Sequence, residues 1–142
     1  TIPYRMVVAE RLMQSVDSIR NICSEAKIII SGDFNDETND VSIQHLIASD
    51  MTDISHKATG KNGANGTYKY QGMWQSIDHI LISNSMKAVF KDCFINDLPF
   101  LLEDDKKFNG KKPFRTYQGY KYLGGFSDHL PLVATFHIDF KE

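Results

Sequence analysis

The chain has 142 residues, 42% of them hydrophobic and 24% charged, with a net charge of −2. That length fits one domain with a core of its own, and the composition excludes a disordered or fibrous chain. The charge balance excludes an overall basic field for gripping duplex DNA, but it leaves phosphate substrates open wherever a bound cation supplies positive charge. Cys23 and Cys93 are too few and too far apart for a disulfide framework or a paired-cysteine metal site, and they read as buried free thiols. No apolar run reaches the roughly 18 residues that a membrane span needs. The sequence opens at Thr1 directly in helix-like residues with no signal peptide, so it reads as a piece of something longer and its localisation stays open.

In chain order, Val8, Leu12, Val16, Ile19 and Cys23 recur at spacings of three and four, which predicts an amphipathic helix over residues 4–25. Ile28-Ile29-Ile30, ended by Ser31-Gly32, predicts a central strand buried on both faces. Val41, Ile43, Leu46 and Ile47 behind polar capping residues predict a short helix near 40–49. A loop rich in glycine and asparagine follows, with a short strand from Thr67 to Tyr70. Strands are expected over 76–83, 86–95 and 130–139, with Ser83-Asn84-Ser85 as a turn and residues 103–118 as a charged surface loop. A helix packed before a central strand implies a layered α/β domain, and no repeat or linker divides it.

Three short stretches carry residues suited to chemistry. Asp33 and Asn35 follow the first strand, Asp78 and His79 open another, and Asp128 and His129 precede the last. In layered α/β proteins, sites form at strand ends and in their loops. A carboxylate can orient an imidazole that moves a proton from water. A second Asp and an Asn suit holding that water and a phosphoryl oxygen. Carboxylates also suit a hard cation such as Mg²⁺. Positioning and charge neutralisation are what phosphoryl transfer requires, so the set fits hydrolysis of a phosphate ester.

Ile30-Ser31-Gly32-Asp33-Phe34-Asn35, Ile77-Asp78-His79 and Ser127-Asp128-His129-Leu130-Pro131, in that order, resemble the endonuclease/exonuclease/phosphatase family. That family includes abasic-site endonucleases, type I deoxyribonucleases, sphingomyelinases, inositol-polyphosphate phosphatases and deadenylases. The resemblance implies a Mg²⁺- or Mn²⁺-dependent phosphoesterase. Asp33 would orient or deprotonate the attacking water, or protonate the leaving group. Asn35 would contact the phosphoryl oxygen and help place the water. His129 would act on the phosphate and the water, and Asp78 would hold the His129 ring. Asp128 and Asp33 would lie at the metal. Gly124 and Gly125 would let the loop turn Asp128 and His129 into one cleft.

The family fold is a four-layer α/β/β/α sandwich whose first half carries the main metal-binding Glu, an early Asn and another His or Tyr. None of these precedes Asp33 here. The resemblance therefore implies that residues 1–142 are the C-terminal half of an α+β domain, a mixed sheet with helices on one face. Such a half is expected to be inactive in isolation, with an exposed apolar sheet face that meets the missing half or another copy. The alternative is a non-catalytic module that binds a partner or itself. A serine hydrolase built on Ser127, Asp128 and His129 is disfavoured, because consecutive residues do not easily reach one another in the required relay and no nucleophile elbow is present.

Other residues admit two readings. Tyr68, Tyr70 and Trp74 either stack on a substrate or fill the core. Lys111, Lys112 and Arg115 either meet a phosphate-rich substrate or form a solvated loop. Among these, Trp74 and Arg115 are the candidate substrate contacts. His79 reads as structural, His45 and His56 as surface groups, and His137 as structural. Asn65-Gly66-Thr67 matches a glycosylation sequon, a pattern common by chance.

Overall fold

The computed structural model describes residues 2–138, the side chain of Ile2 excepted. Helix α1 spans Ile2–Ile22, β1 Ile29–Asp33, α2 Val41–Ala48, β2 Met51–Asp53, β3 Tyr68–Tyr70, β4 Met73–Gln75 and β5 Asp78–Ser83. A 3-10 segment, Asn84–Val89, leads into β6, Phe90–Ile95, and a second one, Pro99–Leu101, into β7, Leu102–Asp104. Then come β8, Lys111–Pro113, β9, Tyr117–Gln118, β10, Lys121–Tyr122, and β11, Leu132–Phe136. The last strand is shorter than expected, and Asp139, where it was predicted to end, lies outside the described residues.

Strand β5 organises the layers. It lies between β1 and β2 in a three-stranded antiparallel sheet. Successive side chains of a strand point to opposite faces. Leu81 accordingly packs with Ala9, Met13 and Val16 of α1, Leu46 of α2 and Met51 of β2. Ile80 and Ile82 face the other way, onto Met86 and the apolar residues of the β6–β11 ladder. The order is helices, sheet, second sheet. A third cluster, Ala58, Ala64, Ile95, Leu102 and Leu130, sits under the β3–β4 and β7–β8 hairpins. Fully burying each large aliphatic side chain contributes about 1.5–3 kcal/mol, so these three clusters hold the layers together.

The α+β class agrees with the sequence reading, but several details differ. Every named strand pair among the described residues is antiparallel, so the expected mixed sheet is not found within them. The strand enclosed on both faces is β5, whereas β1 is an edge strand with Ile29 48% exposed. Helix α1 buries Ala9, Met13 and Val16, and leaves Val8 and Ile19 exposed. Val8 and Leu12 instead line, with Tyr4, Ile30 and Phe34, an apolar groove between α1 and β1. The predicted strand over 86–95 begins as a 3-10 segment and becomes extended only at Phe90. The charged stretch 103–118 is no simple loop, because β7 pairs with β8. Cys23 is exposed, against expectation. Cys93 is half-buried, and desolvation pushes its thiol up to about 11.

Candidate active site

The ends of β1 and β5 and the loop before β11 converge. In the antiparallel register, Asp33 stands opposite Asp78. The chain approaching β11 makes a single antiparallel bridge, His129 to Tyr68, which brings the imidazole beside β5. Oxygen and nitrogen atoms of Asp33, Asp78 and His129 then lie within 4.8 Å of one another. His129 Nδ1–H donates to Asp78 Oδ2 at 2.7 Å, and Thr67 Oγ1 donates to the same oxygen at 2.5 Å. A carboxylate oxygen only accepts, so the Nδ1 proton is fixed and Nε2 keeps no hydrogen bond among the described residues. The Tyr68 ring lies 4.9 Å from the imidazole, centroid to centroid, and closes its other side.

The loop after β1 supplies the next group. The Asn35 N–H donates to Asp33 Oδ1 at 2.8 Å, and Asn35 takes a left-handed φ of 52°. That conformation is tolerated best by Gly, Asn and Asp. It puts Asn35 on the wall of a cleft of about 530 Å³ that His129, Asp128 and Tyr68 also line. A second cleft, between β5 and the start of β11, is lined by Asp78, Ser127 and His129. His129 is common to both.

The glycines before the motif act through space. Gly124 has a left-handed φ of 77°, and a Cβ on Gly125 would lie 2.2 Å from the Phe114 carbonyl oxygen. The backbone of residues 125 and 126 donates to the carbonyls of Arg115 and Phe114. The loop carrying Ser127 to His129 is thus strapped to the segment after β8.

His79 does not share the site of its neighbour Asp78. It points to the helical layer and is fully buried, with Nδ1 2.9 Å from Asp53 Oδ2 and Nε2 2.8 Å from the Asp36 carbonyl oxygen. Both partners only accept, so both ring nitrogens carry protons. Burial alone pushes its pKa down, but the hydrogen bonds it donates to Asp53 and the Asp36 carbonyl and the nearby negative charge outweigh it, and the net shift is upward. In the same way burial pushes Asp53 up, and the bonds from His79 and Ser55 carry it below the usual carboxylate range. The Asp36 carboxylate accepts from Arg5 of α1 and from Ser42 of α2. His79 therefore ties the loop after Asp33 to β5 and β2.

The remaining candidates are distributed around this centre. Asp128 is exposed and falls outside the Asp33–Asp78–His129 group, on the cleft with Asn35. Trp74 packs against the cluster under the hairpins with Lys69 Nζ 5.7 Å from its ring, and it lines neither of those clefts. Arg115 lies behind Tyr68, its guanidinium carbon 5.2 Å from that ring, and donates to the Lys69 carbonyl at 2.9 Å. The glycine-rich loop binds an internal anion. Asp97 accepts backbone N–H groups of Lys61, Asn62 and Ala64, and these outweigh its desolvation to hold its carboxyl below the usual range. Thr67 was legible as a strand and sequon residue and not as part of the site, yet it is buried and its hydroxyl is committed to Asp78.

The sequence matches the Endonuclease/Exonuclease/phosphatase family over residues 1–138. A search of curated proteins finds no match. Among solved structures, the chain is similar to an endonuclease/exonuclease/phosphatase family protein from Bacteroides thetaiotaomicron, with 16% identity and a TM-score of 0.61 over 96% of this chain and 44% of that one. A mannosyl-6-phosphatase of the same organism gives 18% identity and a TM-score of 0.61 over 94% and 46%. A 3′ phosphatase from Neisseria, bound to a product DNA hairpin, gives 21% and 0.50 over 91% and 53%. At these identities the likeness is one of fold. The chain spans about half the length of these structures.

Proposed function

Because the chain belongs to the endonuclease/exonuclease/phosphatase family, we propose that it carries the water-activating part of a metal-dependent phosphoesterase site. The observation that carries this reading is the Asp78–His129 hydrogen bond beside Asp33. Asp78, itself fixed by the Thr67 hydroxyl, holds the ring so that Nε2 is the nitrogen left for substrate. Nε2 accepts a proton from the attacking water or, when protonated, donates to a phosphoryl oxygen. Asp33 orients that water or, where His129 is the protonated donor, takes the water's proton itself and passes it to the leaving oxygen as the ester P–O bond breaks. Asn35, across the cleft from His129, donates its amide to the phosphoryl group.

The donor set fits a hard cation. Two carboxylates directly opposite in an antiparallel pair repel unless positive charge lies between them, and oxygen ligands suit Mg²⁺ or Mn²⁺. Asp33 and Asp78 would hold it, with Asp128 outside that group. When bound, such a cation supplies neutralisation of phosphoryl charge.

We further assign the chain to the C-terminal half of a four-layer domain. Its coverage of about half of its structural relatives and the edge of β1, unpaired among the described residues, support this, since an open edge beside an apolar groove is where a further strand would pair. Whether the substrate is a monoester or a diester is tested directly, with p-nitrophenyl phosphate and bis(p-nitrophenyl) phosphate given to the complete domain. Hydrolysis of one of them in Mg²⁺, its loss in EDTA, and a fall of about 10²-fold or more in His129→Ala at unchanged thermal midpoint are expected. Full turnover in EDTA, or near-normal turnover in His129→Ala, would refute the reading.

A further inference from the structure

Arg115 is a half-buried cation with no carboxylate partner among the described residues. Residues 103–122 contain six basic and three acidic side chains, in a chain whose net charge is −2. All three acids are matched: Asp105 by Lys69 at 3.1 Å, Asp104 by Lys111 at 2.6 Å and Glu103 by Lys112 at 3.4 Å. Among the described residues, Lys106, Lys107, Arg115 and Lys121 make no ion pair. Arg115 spends one N–H on the Lys69 carbonyl and lays its guanidinium against Tyr68. An arginine positioned by a ring and one carbonyl keeps its remaining donors for a planar or tetrahedral oxyanion.

A cleft of about 230 Å³ opens there, lined by Tyr70, Lys107, Phe108, Arg115 and Gln118 among others. Tyr70 is 53% exposed and Phe108 43%. The cleft neighbours the reacting centre through one side chain, because the Tyr68 ring lies 4.9 Å from the His129 ring and 5.2 Å from the Arg115 guanidinium carbon. Lys107 Nζ lies 5.0 Å from the Phe108 ring. Cations alternating with part-exposed aromatic rings, beside the site that would attack a phosphate, form the pattern by which single-stranded nucleic acid is held: charge on the backbone, rings on the bases. A lone sugar phosphate has neither a second phosphate for Arg115 nor a base for Tyr70.

We propose that this cleft is a subsite for single-stranded nucleic acid, with Arg115 on a phosphate next to the one attacked and Tyr70 and Phe108 as stacking faces for the adjoining bases. The inference rests on the phosphoesterase reading for its direction. Every residue of the cleft belongs to this chain, so binding is required of the chain by itself.

The test is fluorescence anisotropy of a labelled oligothymidylate of about ten nucleotides, titrated with this chain in EDTA at several salt concentrations. Binding is expected, weakened on the order of tenfold in Arg115→Ala. The slope of log affinity against log salt should fall by about 0.7, the loss of one phosphate contact to a single strand. Tyr70→Ala, at an exposed position that threatens no core, should weaken binding by about tenfold with the slope unchanged. Mannose 6-phosphate should not displace the oligonucleotide. No binding, wild-type affinity retained in either variant, or displacement by mannose 6-phosphate would overturn the subsite. These outcomes are separable from the catalytic reading. Hydrolysis of nitrophenyl esters by the complete domain without Arg115-dependent binding leaves the phosphoesterase and removes the subsite; the reverse pattern removes the phosphoesterase.

Discussion

Replacing His79 by alanine removes one half of an ion pair in which both side chains are almost wholly buried. Breaking a buried pair from one side costs about 3–5 kcal/mol, because the remaining charge is left uncompensated. Asp53 would keep three donors, the Ser55 N–H, the Ser55 hydroxyl and the Thr38 hydroxyl, so the lower end applies. The Asp36 carbonyl would lose its ring partner as well. A loss of about 3 kcal/mol in a chain of this length lowers the midpoint by roughly 10 °C. The pH dependence is the sharper readout. The folded pKa of His79 is raised, so its stabilisation is complete below the ordinary value of 6.5 and is lost as pH rises through the folded pKa. Asp53, lowered in the fold, contributes fully above its ordinary 3.8 and loses that contribution as pH falls through its folded pKa. Urea unfolding of this chain, followed by circular dichroism from pH 5 to 9, should therefore show a decline on the alkaline side that His79→Ala abolishes. A cost below about 1 kcal/mol, or an alkaline decline that persists in the variant, would refute the buried imidazolium.

Two further substitutions probe how the site is held. Gly125→Ala forces a Cβ into the Phe114 and Arg115 carbonyls, at 2.2 and 2.5 Å, so the loop bearing His129 must move; the complete domain should lose turnover by about tenfold or more, with shifted His129 resonances, and unchanged kinetics would show the strap to be unnecessary. Lys69→Met strands Asp105 and leaves the Asn109 and Lys111 carbonyls without their shared donor; a destabilisation of about 2–3 kcal/mol is expected in urea, and a neutral result would mean that the β7–β8 hairpin stands without its anchor.

The residues of the centre were legible because they occur where the sequence changes character. Asp33 ends an isoleucine run, Asp78 opens one, and His129 precedes a proline and a strand. Each motif joins a strand to a loop, and the family order of the three is visible without any structure. What escaped depended on pairings made far along the chain. Nothing in Ile28-Ile29-Ile30 distinguishes a central strand from an edge strand, since the difference is whether a neighbour lies within these residues. The β7–β8 hairpin was hidden by its charges, although Asn109-Gly110, both with left-handed φ, is a turn signal that could have disclosed it. Lys69, an isolated lysine in a short strand, gave no sign that it would reach across to Asp105. Thr67 read as a sequon residue because its hydroxyl partner, Asp78, is eleven positions away.

The two Asp-His pairs resolve in opposite ways for one physical reason. Asp78 and His79 belong to a regular strand, where neighbours must diverge. Asp78 turns to the face of Ile80 and Ile82 and meets His129, while His79 turns to the face of Leu81 and meets Asp53. Asp128 and His129 belong to a loop with only one bridge to β3, so the backbone is free to present both on the cleft that Asn35 lines. The strand pair thus divides chemistry from support, and the loop pair does not. Yet the support is not remote. The ring of His79 bonds the carbonyl of Asp36, three residues beyond Asp33, and its own backbone is continuous with Asp78. One buried ring therefore spans the two segments whose carboxylates face each other across β1 and β5, and a change in that ring should be felt at both.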